Sequence, residues 1–303
     1  MRLLKYLALS VLFTSTVQAA GYDIVLYPLS FDSEKSSWSL GKGKMITNRD
    51  GYDNQASFTL DSKAIVFSSN RSGDHNDIYR YSIADGKYTQ ITHTPDESEY
   101  SPTDTANGLQ YVVEQGVPHQ SVWLKQSGQV RQRAINSYIP AGYYATHPEV
   151  GTLIWARYAY SLYFEPKGQE ANEGHFTVAN VGRSLHVIPH SKTFSYLAKK
   201  QDGDRQITQF DPAQKSHRKL VSLDSGSEDY AWSGQQLAGS PWIFNASTDG
   251  LRAWQSSVND SATAQIGWQD VQTLTPPSLS HQTANRIAVS PDNRYITIVW
   301  SRK

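Results

Sequence analysis

A repeating unit of four short strands is the feature of this sequence that most restricts its fold. The most complete copy runs from Asp53 to Thr92. Within it, Ile65 and Phe67 alternate with their neighbours in the period of two that is typical of a strand. The dipeptide Asp85-Gly86, between two further strand-like stretches, indicates a β-hairpin turn. Such a unit cannot bury its apolar faces alone, so it must stack against copies of itself.

The second strand of this unit occurs six times along the chain. The copies are Ala64–Phe67, Leu109–Val113, Thr152–Trp155, Phe194–Leu197, Pro241–Phe244 and Tyr295–Trp300. Successive copies are 45, 43, 42, 47 and 55 residues apart, measured between Phe67, Val112, Trp155, Leu197, Phe244 and Val299. A period of about 40 to 50 residues with four strands per repeat is typical of a β-propeller. The sequence therefore predicts an all-β chain with six blades of four antiparallel strands.

The two ends of the chain supply complementary parts of one blade. The C-terminal segment Arg286–Arg302 contains only the first two strands of a unit. Near the other end, Tyr22–Leu29 matches the third strand and Trp38–Thr47 matches the fourth. We expect these pieces to share one blade, because that arrangement closes the ring and leaves no free sheet edge. Residues 20–303 are expected to form this single propeller domain.

The first residues have the pattern of a secretory signal peptide. Arg2 and Lys5 give a positive start, and residues 6–17 are largely apolar. This run is about 12 residues long, whereas a transmembrane helix needs about 20. Small or medium residues precede Ala20, as a signal peptidase requires. We expect residues 1–19 to be removed and the remaining chain to lie without a membrane span in a bacterial periplasm, with secretion beyond the cell as the alternative.

Several short motifs resemble the repeats of the TolB-like six-bladed propellers, a WD40-like (PD40) repeat family. The motifs are Asp53–Phe58, Ser68–Gly73, Asn76–Tyr79, Ile91-Thr92 and Ala288–Asn293. Over residues 104–285 only the spacing of the blades supports the resemblance. TolB itself carries an α/β domain before its propeller, and the roughly 25 residues between the leader and the first full blade are too few for one. The resemblance implies a binding propeller and does not carry over TolB's own role.

Composition excludes several kinds of chemistry and partner. The chain has no cysteine, and therefore no disulfide, thiolate metal site or cysteine nucleophile. Basic and acidic residues number 28 each, and removal of the leader leaves 26 basic residues. No basic stripe is present, so we expect neither nucleic acid nor an anionic membrane surface as a partner. We expect a monomer.

The sequence offers little catalytic machinery. It contains no Gly-x-Ser-x-Gly motif, and its nine histidines form no dense ligand motif. We therefore expect no cofactor and no enzymatic activity. One alternative stays open, because some related propellers are lyases with a metal in the channel. If His147, His186 and His281, in three different blades, met at the axis, a divalent metal could serve a carbohydrate lyase or hydrolase.

The densest aromatic run, Trp155–Phe164, has two interpretations. Flat rings stack on sugars, which would suit a glycan sensor. Large rings also fill the space between packed blades, and this second interpretation suits a propeller better. A bound glycan stays as an alternative ligand.

The mouth of the central channel is the default ligand site of a propeller, where loops enter the innermost strands. Alignment of the repeats places there Asn54 and Gln55, Glu99 and Tyr100, Tyr143 and Tyr144, Arg183 and Ser184, Glu228 and Asp229, and His281 and Gln282. From these we select as binding residues Asn54, Gln55, Glu99, Tyr100, Tyr144, Arg183, Asp229 and His281. Their polar, aromatic and mixed-charge character suits an envelope protein or peptide. The sequence thus predicts a periplasmic, non-enzymatic binding or scaffold protein.

The predicted leader can be tested on the protein itself. Expression in a Gram-negative host should give a periplasmic product whose N-terminal residue, identified by mass spectrometry, is Ala20. A product that keeps Met1 and fractionates with the inner membrane would contradict the prediction.

Overall fold

A computed structural model describes residues 21–116, 119–168, 174–223, 226–234, 239–255 and 267–303. The predicted signal peptide lies outside these ranges. The secondary structure in the described ranges consists of β-strands. They include no helix of the length and apolar character that crossing a membrane requires.

The strands form six antiparallel sheets arranged as a six-bladed β-propeller, as predicted. The first strands are β1 (Tyr22–Asp32), β2 (Ser37–Leu40) and β3 (Lys44–Met45). Blade 1 contains β4 (Asp53–Phe58), β5 (Ala64–Ser69), β6 (Asp77–Ser82) and β7 (Tyr88–Gln90). Blade 2 contains β8 (Ser98–Thr105), β9 (Gly108–Glu114), β10 (Gln120–Lys125) and β11 (Gln132–Arg133). Blade 3 contains β12 (Ala141–His147), β13 (Gly151–Ala156), β14 (Ser161–Pro166) and β15 (His175–Ala179).

The second half of the chain continues in the same way. Blade 4 contains β16 (Val181–Val187), β17 (Phe194–Lys199), β18 (Arg205–Asp211) and β19 (Ser216–Ser222). Blade 5 contains β20 (Tyr230–Trp232), β21 (Trp242–Ala246), β22 (Leu251–Gln255) and β23 (Gln269–Gln272). The last strands are β24 (His281–Val289) and β25 (Tyr295–Arg302). The first strand of each blade lies innermost, since residues from β4, β8, β12, β16, β20 and β24 line the central channel.

The sixth, closing blade combines both ends of the described chain. β25 pairs with β24 on one side and with β1 on the other. In the β1–β25 register, Tyr22 lies opposite Ser301 and Pro28 lies opposite Tyr295. The predicted closure by strands from both chain ends is confirmed.

The outer strand of the closing blade differs from the prediction. Instead of one strand over Trp38–Thr47, β2 pairs with the second half of β1 and β3 with its first half. The interruption contains Gly41 and Gly43, where the chain passes closely over β1. A Cβ at Gly41 would lie 2.9 Å from Cβ of Pro28, and one at Gly43 would lie 2.5 Å from the ring of Tyr27. Pro28 has no N–H to offer a continuous ladder, so the strand divides there.

Six buried apolar clusters fill the six junctions between neighbouring blades. Successive side chains of β1 point to opposite faces, as the geometry of a strand requires. Ile24 and Leu26 therefore pack toward blade 1, whereas Val25 and Tyr27 pack toward blade 5. The second strands are covered on both faces, and all six residues of β5 are buried. This double coverage explains why the second strands are the clearest repeats in the sequence.

Five of the six inner strands have a register shift near their start. The shifts lie between Asn54 and Ser57, Tyr100 and Thr103, Ala141 and Tyr143, Val181 and Leu185, and Ala284 and Ile287. A bulge bends its strand and changes the direction of nearby side chains. The residues within or beside these bulges therefore meet at the channel.

A buried carboxylate, that of Asp23, holds the closing blade together. It accepts hydrogen bonds from Thr47 Oγ1 at 3.0 Å, from the Arg49 backbone N–H at 3.2 Å and from Arg302. His281 Nε2 lies 3.0 Å from Oδ2, the oxygen to which Arg302 also donates, whereas Thr47 and Arg49 donate to Oδ1. The carboxylate thus connects β1 with β24 and β25, the two strands at the other end of the chain.

A second buried carboxyl group, that of Glu99, lies at the junction of blades 1 and 2. The residue is fully buried. Thr92 Oγ1 donates to it at 2.7 Å, Thr94 Oγ1 donates to its other oxygen, and the Arg131 guanidinium lies 3.6 Å away. Burial raises the pKa of Glu99 to about 7, although the two hydroxyl groups and Arg131 act to lower it.

Replacement of Asp23 tests the closure of the ring. Asp23→Ala leaves Arg302 and His281 buried without their carboxylate, and it should lower the free energy of unfolding by about 3–5 kcal/mol in urea titrations. Asp50 is a matched control, because it lies 3.3 Å from the same guanidinium but is 70% exposed. Asp50→Ala should cost less than about 1 kcal/mol. Equal effects of the two substitutions would contradict the structural role of Asp23.

Glu99 should make stability depend on pH. Its ordinary pKa is 4.5, so between about pH 4.5 and 7 the folded state holds a proton that the unfolded state releases. The free energy of unfolding should therefore fall as pH rises through this range, and then level off. Glu99→Gln stays neutral, and it should remove this slope and stabilise the protein above pH 7 by about 3 kcal/mol.

Glu97→Gln provides the comparison for this pH experiment. Glu97 also pairs with Arg131, and the substitution leaves Glu99 in place. Urea titrations of this variant from pH 4 to 8 should keep the slope of the native chain. A native chain whose stability does not change over this range would show that Glu99 is ionised in the folded state.

Candidate functional site

Two adjoining cavities occupy the central channel and one of its two mouths. The channel cavity, of about 410 Å³, is lined by residues from all six inner strands. The mouth cavity, of about 580 Å³, lies where the inner strands of blades 2, 3 and 4 begin. Gln55, Tyr143 and Arg183 line both cavities. The two cavities therefore adjoin at these three side chains.

Each blade contributes one side chain to a ring around the channel, from its inner strand or from the residue just before that strand. We call these the ring residues: Gln55, Ser101, Tyr143, Arg183, Asp229 and Arg286. They form three pairs through hydrogen bonds. The first pair joins blades 1 and 2, where Ser101 Oγ donates to the Gln55 side-chain oxygen at 3.3 Å. The other two pairs contain the three charged residues of the ring.

The second pair is an ion pair between blades 4 and 5. Arg183 donates to Asp229 through Nη2 at 2.6 Å and through Nε at 3.2 Å, which is a bidentate arrangement. Burial raises the pKa of Asp229, but Arg183, together with smaller contributions from Arg286 and His186, holds the pKa below its ordinary value. Burial lowers the pKa of His186, on the same wall, to about 4. His186 is therefore neutral at pH 7, whereas Arg183 and Asp229 are charged.

The third pair crosses the channel. Arg286 in the closing blade donates through Nη2 to the Tyr143 hydroxyl in blade 3. These two blades are on opposite sides of the ring. The Arg286 guanidinium also lies 4.9 Å from the centre of the Tyr143 ring, within the range of a cation–π contact. The pair fixes the guanidinium inside the channel.

Aromatic side chains from blade 3 form one side of the mouth. Tyr143 and Tyr160 pack edge-to-face against Trp155, with ring centres 5.3 and 5.5 Å away. Tyr158 and Tyr160 are 50% and 59% exposed. The packing interpretation of the aromatic run is therefore right for Trp155 and Phe164, which lie in the junction of blades 3 and 4. It is wrong for the two exposed tyrosines.

Ion pairs provide the charge at the rim. Arg157 lies 2.7 Å from Glu114, and Lys199 lies 2.5 Å from Glu228. All four side chains are partly exposed. Each of them can therefore leave its present partner and pair with a charged group of a ligand. The mouth thus offers both signs of charge beside its aromatic surface.

The structure separates the predicted binding residues into two groups. Those that line a cavity are Gln55, Tyr100, Tyr144, Arg183 and Asp229, and their binding role stays a prediction. Asn54, Glu99 and His281 lie buried within the blades instead. Asn54 accepts a hydrogen bond from the Gln55 backbone N–H at 2.7 Å. Glu99 belongs to the network between blades 1 and 2, and His281 to the Asp23 network of the closing blade. Because of the bulges, the residues that line the channel in these blades lie further along the chain than Asn54, Glu99 and His281.

Arg286 was missed by the alignment of the repeats. β24 contains two register shifts before it pairs regularly, so residues counted from the start of the strand are misplaced. Counting back from the following turn works better. Thr59 and Ser290 begin equivalent turns, and each hydroxyl donates to the aspartate two residues later, at 2.6 and 2.7 Å. The residues four positions before them are Gln55 and Arg286.

The three histidines proposed for a metal do not come together. His186 lines the channel, whereas His281 lies against Asp23 and His147 accepts from the Glu149 N–H at 3.2 Å in a turn. Within the described ranges, no three His, Cys, Asp or Glu residues are placed to hold a metal ion. The metal-dependent alternative therefore has no ligand set in this part of the chain.

Comparison with solved structures identifies the fold. The protein assigned as TolB in Agrobacterium tumefaciens has a TM-score of 0.61 at 11% identity, over 94% of this chain and 99% of that one. TolB from Acinetobacter baumannii has a TM-score of 0.53 at 9% identity, over 92% of this chain but only 65% of that one. YCF48, solved bound to D1 peptide, has a TM-score of 0.52 at 14% identity, over 91% and 96%.

Sequence comparisons gave no relative. No protein-family model matches the chain. No curated protein matches it. The structure agrees with the resemblance seen in the repeat motifs, because this chain forms six blades and two of the similar structures are TolB proteins. The chain has the fold of a six-bladed β-propeller, and this fold is similar to that of the two TolB structures.

Proposed function

We propose that this propeller is a non-enzymatic binding module of the bacterial cell envelope, and that it takes a peptide or protein segment at the mouth of its channel. One observation carries the proposal, namely the mouth cavity of about 580 Å³, which shares three lining residues with the channel cavity. Ligand sites in proteins are commonly clefts of about 300–1,000 Å³ with a few polar groups among apolar ones. The cavity has this size and this mixture.

The side chains of the mouth suit a peptide. Tyrosine and arginine are the residues that most often carry the binding energy of protein interfaces. Tyr158 and Tyr160 have exposed rings. Arg157 is paired with Glu114, but its side chain stays 43% exposed and can contact a ligand. An apolar or aromatic side chain of a peptide can pack on the tyrosines while its charged neighbours meet the ion pairs of the rim.

The comparison with YCF48 supports this assignment. That propeller has been solved bound to D1 peptide, so a protein of similar architecture holds a peptide. The support concerns the kind of ligand. The sequence of the partner is not carried over, because the two chains share only 14% identity.

The periplasmic location is part of the proposal. It is supported by the signal-peptide pattern of residues 1–19 and by the absence of cysteine, which leaves the chain indifferent to an oxidising compartment. The expected partner is therefore another protein of the envelope.

A peptide library tests the site. Peptides selected by phage display on the purified protein should lose more than tenfold in affinity for the Tyr158→Ala/Tyr160→Ala double variant, because the change removes two aromatic anchors. Fluorescence anisotropy with the selected peptides measures the effect.

Phe176→Ala is the matched control for this variant. Phe176 is 60% exposed on the outer strand of the same blade, and it does not line either cavity. Its substitution should leave the affinities unchanged. Selected peptides that bind the double variant as well as the native chain would contradict the proposal, and saturable binding of an envelope glycan at these tyrosines in place of any peptide would replace it.

A further inference from the structure

The described lining of the channel carries more positive than negative charge. Its charged side chains are the guanidiniums of Arg183 and Arg286 and the carboxylate of Asp229. His186 adds no charge at neutral pH, because burial lowers its pKa to about 4. The Asp229 carboxylate already accepts hydrogen bonds from Nε and Nη2 of Arg183. One positive charge in the channel is therefore left without its own counter-charge.

That charge belongs to Arg286. No carboxylate lies within ion-pair distance of its guanidinium in the described part of the chain, and its one hydrogen bond there goes to the uncharged hydroxyl of Tyr143. A guanidinium has five N–H donors, so most of its capacity is unused. Arg183 in blade 4 shows the contrast, since two of its nitrogen atoms donate to one carboxylate.

The shape of the channel decides which ligand can use this guanidinium. Arg286 and Tyr143 come from opposite blades and meet across the channel, so the pair narrows the path of a chain that enters it. An end of a peptide or a single side chain can reach them from the mouth through the space beside Gln55 and Arg183. A carboxylate matches the planar guanidinium best, because it accepts two parallel hydrogen bonds.

We propose that Arg286 is a carboxylate-binding subsite inside the channel, and that it receives the C-terminal or acidic side-chain carboxylate of the peptide bound at the mouth. This inference rests on the proposed function, because the peptide must enter through the mouth cavity. Tyr143 is the positioning residue, since its hydroxyl and ring hold the guanidinium in place.

Three small peptides distinguish the possible sources of the carboxylate. The probes are acetyl-glycyl-tyrosyl-glycine as the free acid, the same peptide as its amide, and an amidated version whose last residue is aspartic acid. Ligand-observed NMR titrations at low salt give their affinities. A charge-assisted hydrogen bond typically contributes enough for about a tenfold preference, so the first or third probe should bind about tenfold more tightly than the amide.

Substitutions locate the effect. Arg286→Gln should lower the affinity for the acidic probe to that of the amide. Arg252→Gln should change nothing, because Arg252 lies on β22 and pairs with Asp270 outside the channel. Asp229→Asn should strengthen binding of the acidic probe several-fold, since it frees Arg183 and removes the competing carboxylate. The comparison of acid with amide on the native protein stands even if one of these variants fails to fold.

The outcomes are distinct. Equal affinities of acid and amide for the native protein, or no saturation by either acidic probe below about 10 mM, would overturn the carboxylate subsite. Inorganic phosphate competing as well as the acidic probe would show a general anion site instead. These results leave the peptide-binding proposal intact, because that proposal is tested separately, by the binding of library-selected peptides or of a glycan at Tyr158 and Tyr160.

Discussion

Closure of the ring is the constraint on which every other feature of this propeller depends. A blade is covered on both faces only when each neighbour is present, so an open ring would expose two apolar faces and a sheet edge. The chain closes it by pairing β1 with β25, and the Asp23 carboxylate ties these strands to His281 and Arg302. The channel and its mouth exist as enclosed spaces only because these distant segments meet.

The closed ring then creates a site by repeating one position six times. Five of the six inner strands contain a bulge near their start, and five of the ring residues lie at or near these bulges, whereas Asp229 directly precedes the regular strand β20. The scaffold therefore fixes where the side chains meet, while the residue type at each position sets the chemistry. Here the six positions hold two arginines, an aspartate, a tyrosine, a glutamine and a serine. The pairs that these side chains form, one of them across the channel, belong to no single blade.

The difference between the regular scaffold and the irregular site explains what the sequence could and could not predict. The second strands are buried on both faces, so their apolar runs are long and regular, and the blade count, the turns and the closure follow from them. The site depends on bulges, which shift the register without a clear sequence signal. Gln55 and Ser101 adopt positive φ angles of 56° and 52° at two of these bulges, although neither is a residue that favours that conformation. An alignment by strand starts therefore selected Glu99 and His281, whereas Ser101 and Arg286 line the channel.

Buried charge by itself does not distinguish structure from function in this molecule. Asp23 is fully buried, and four groups donate to its carboxylate or lie against it, so nothing is left for a ligand. Arg286 has one hydrogen bond in the described ranges and faces a cavity that opens to solvent through the mouth. A side chain whose bonding capacity is filled by its own chain stabilises the fold, whereas one held in place with donors unused is prepared for a partner. By this criterion the closing blade contributes both kinds of residue: Asp23 holds the ring together, and Arg286, on the strand next to it, faces the channel that the ring encloses.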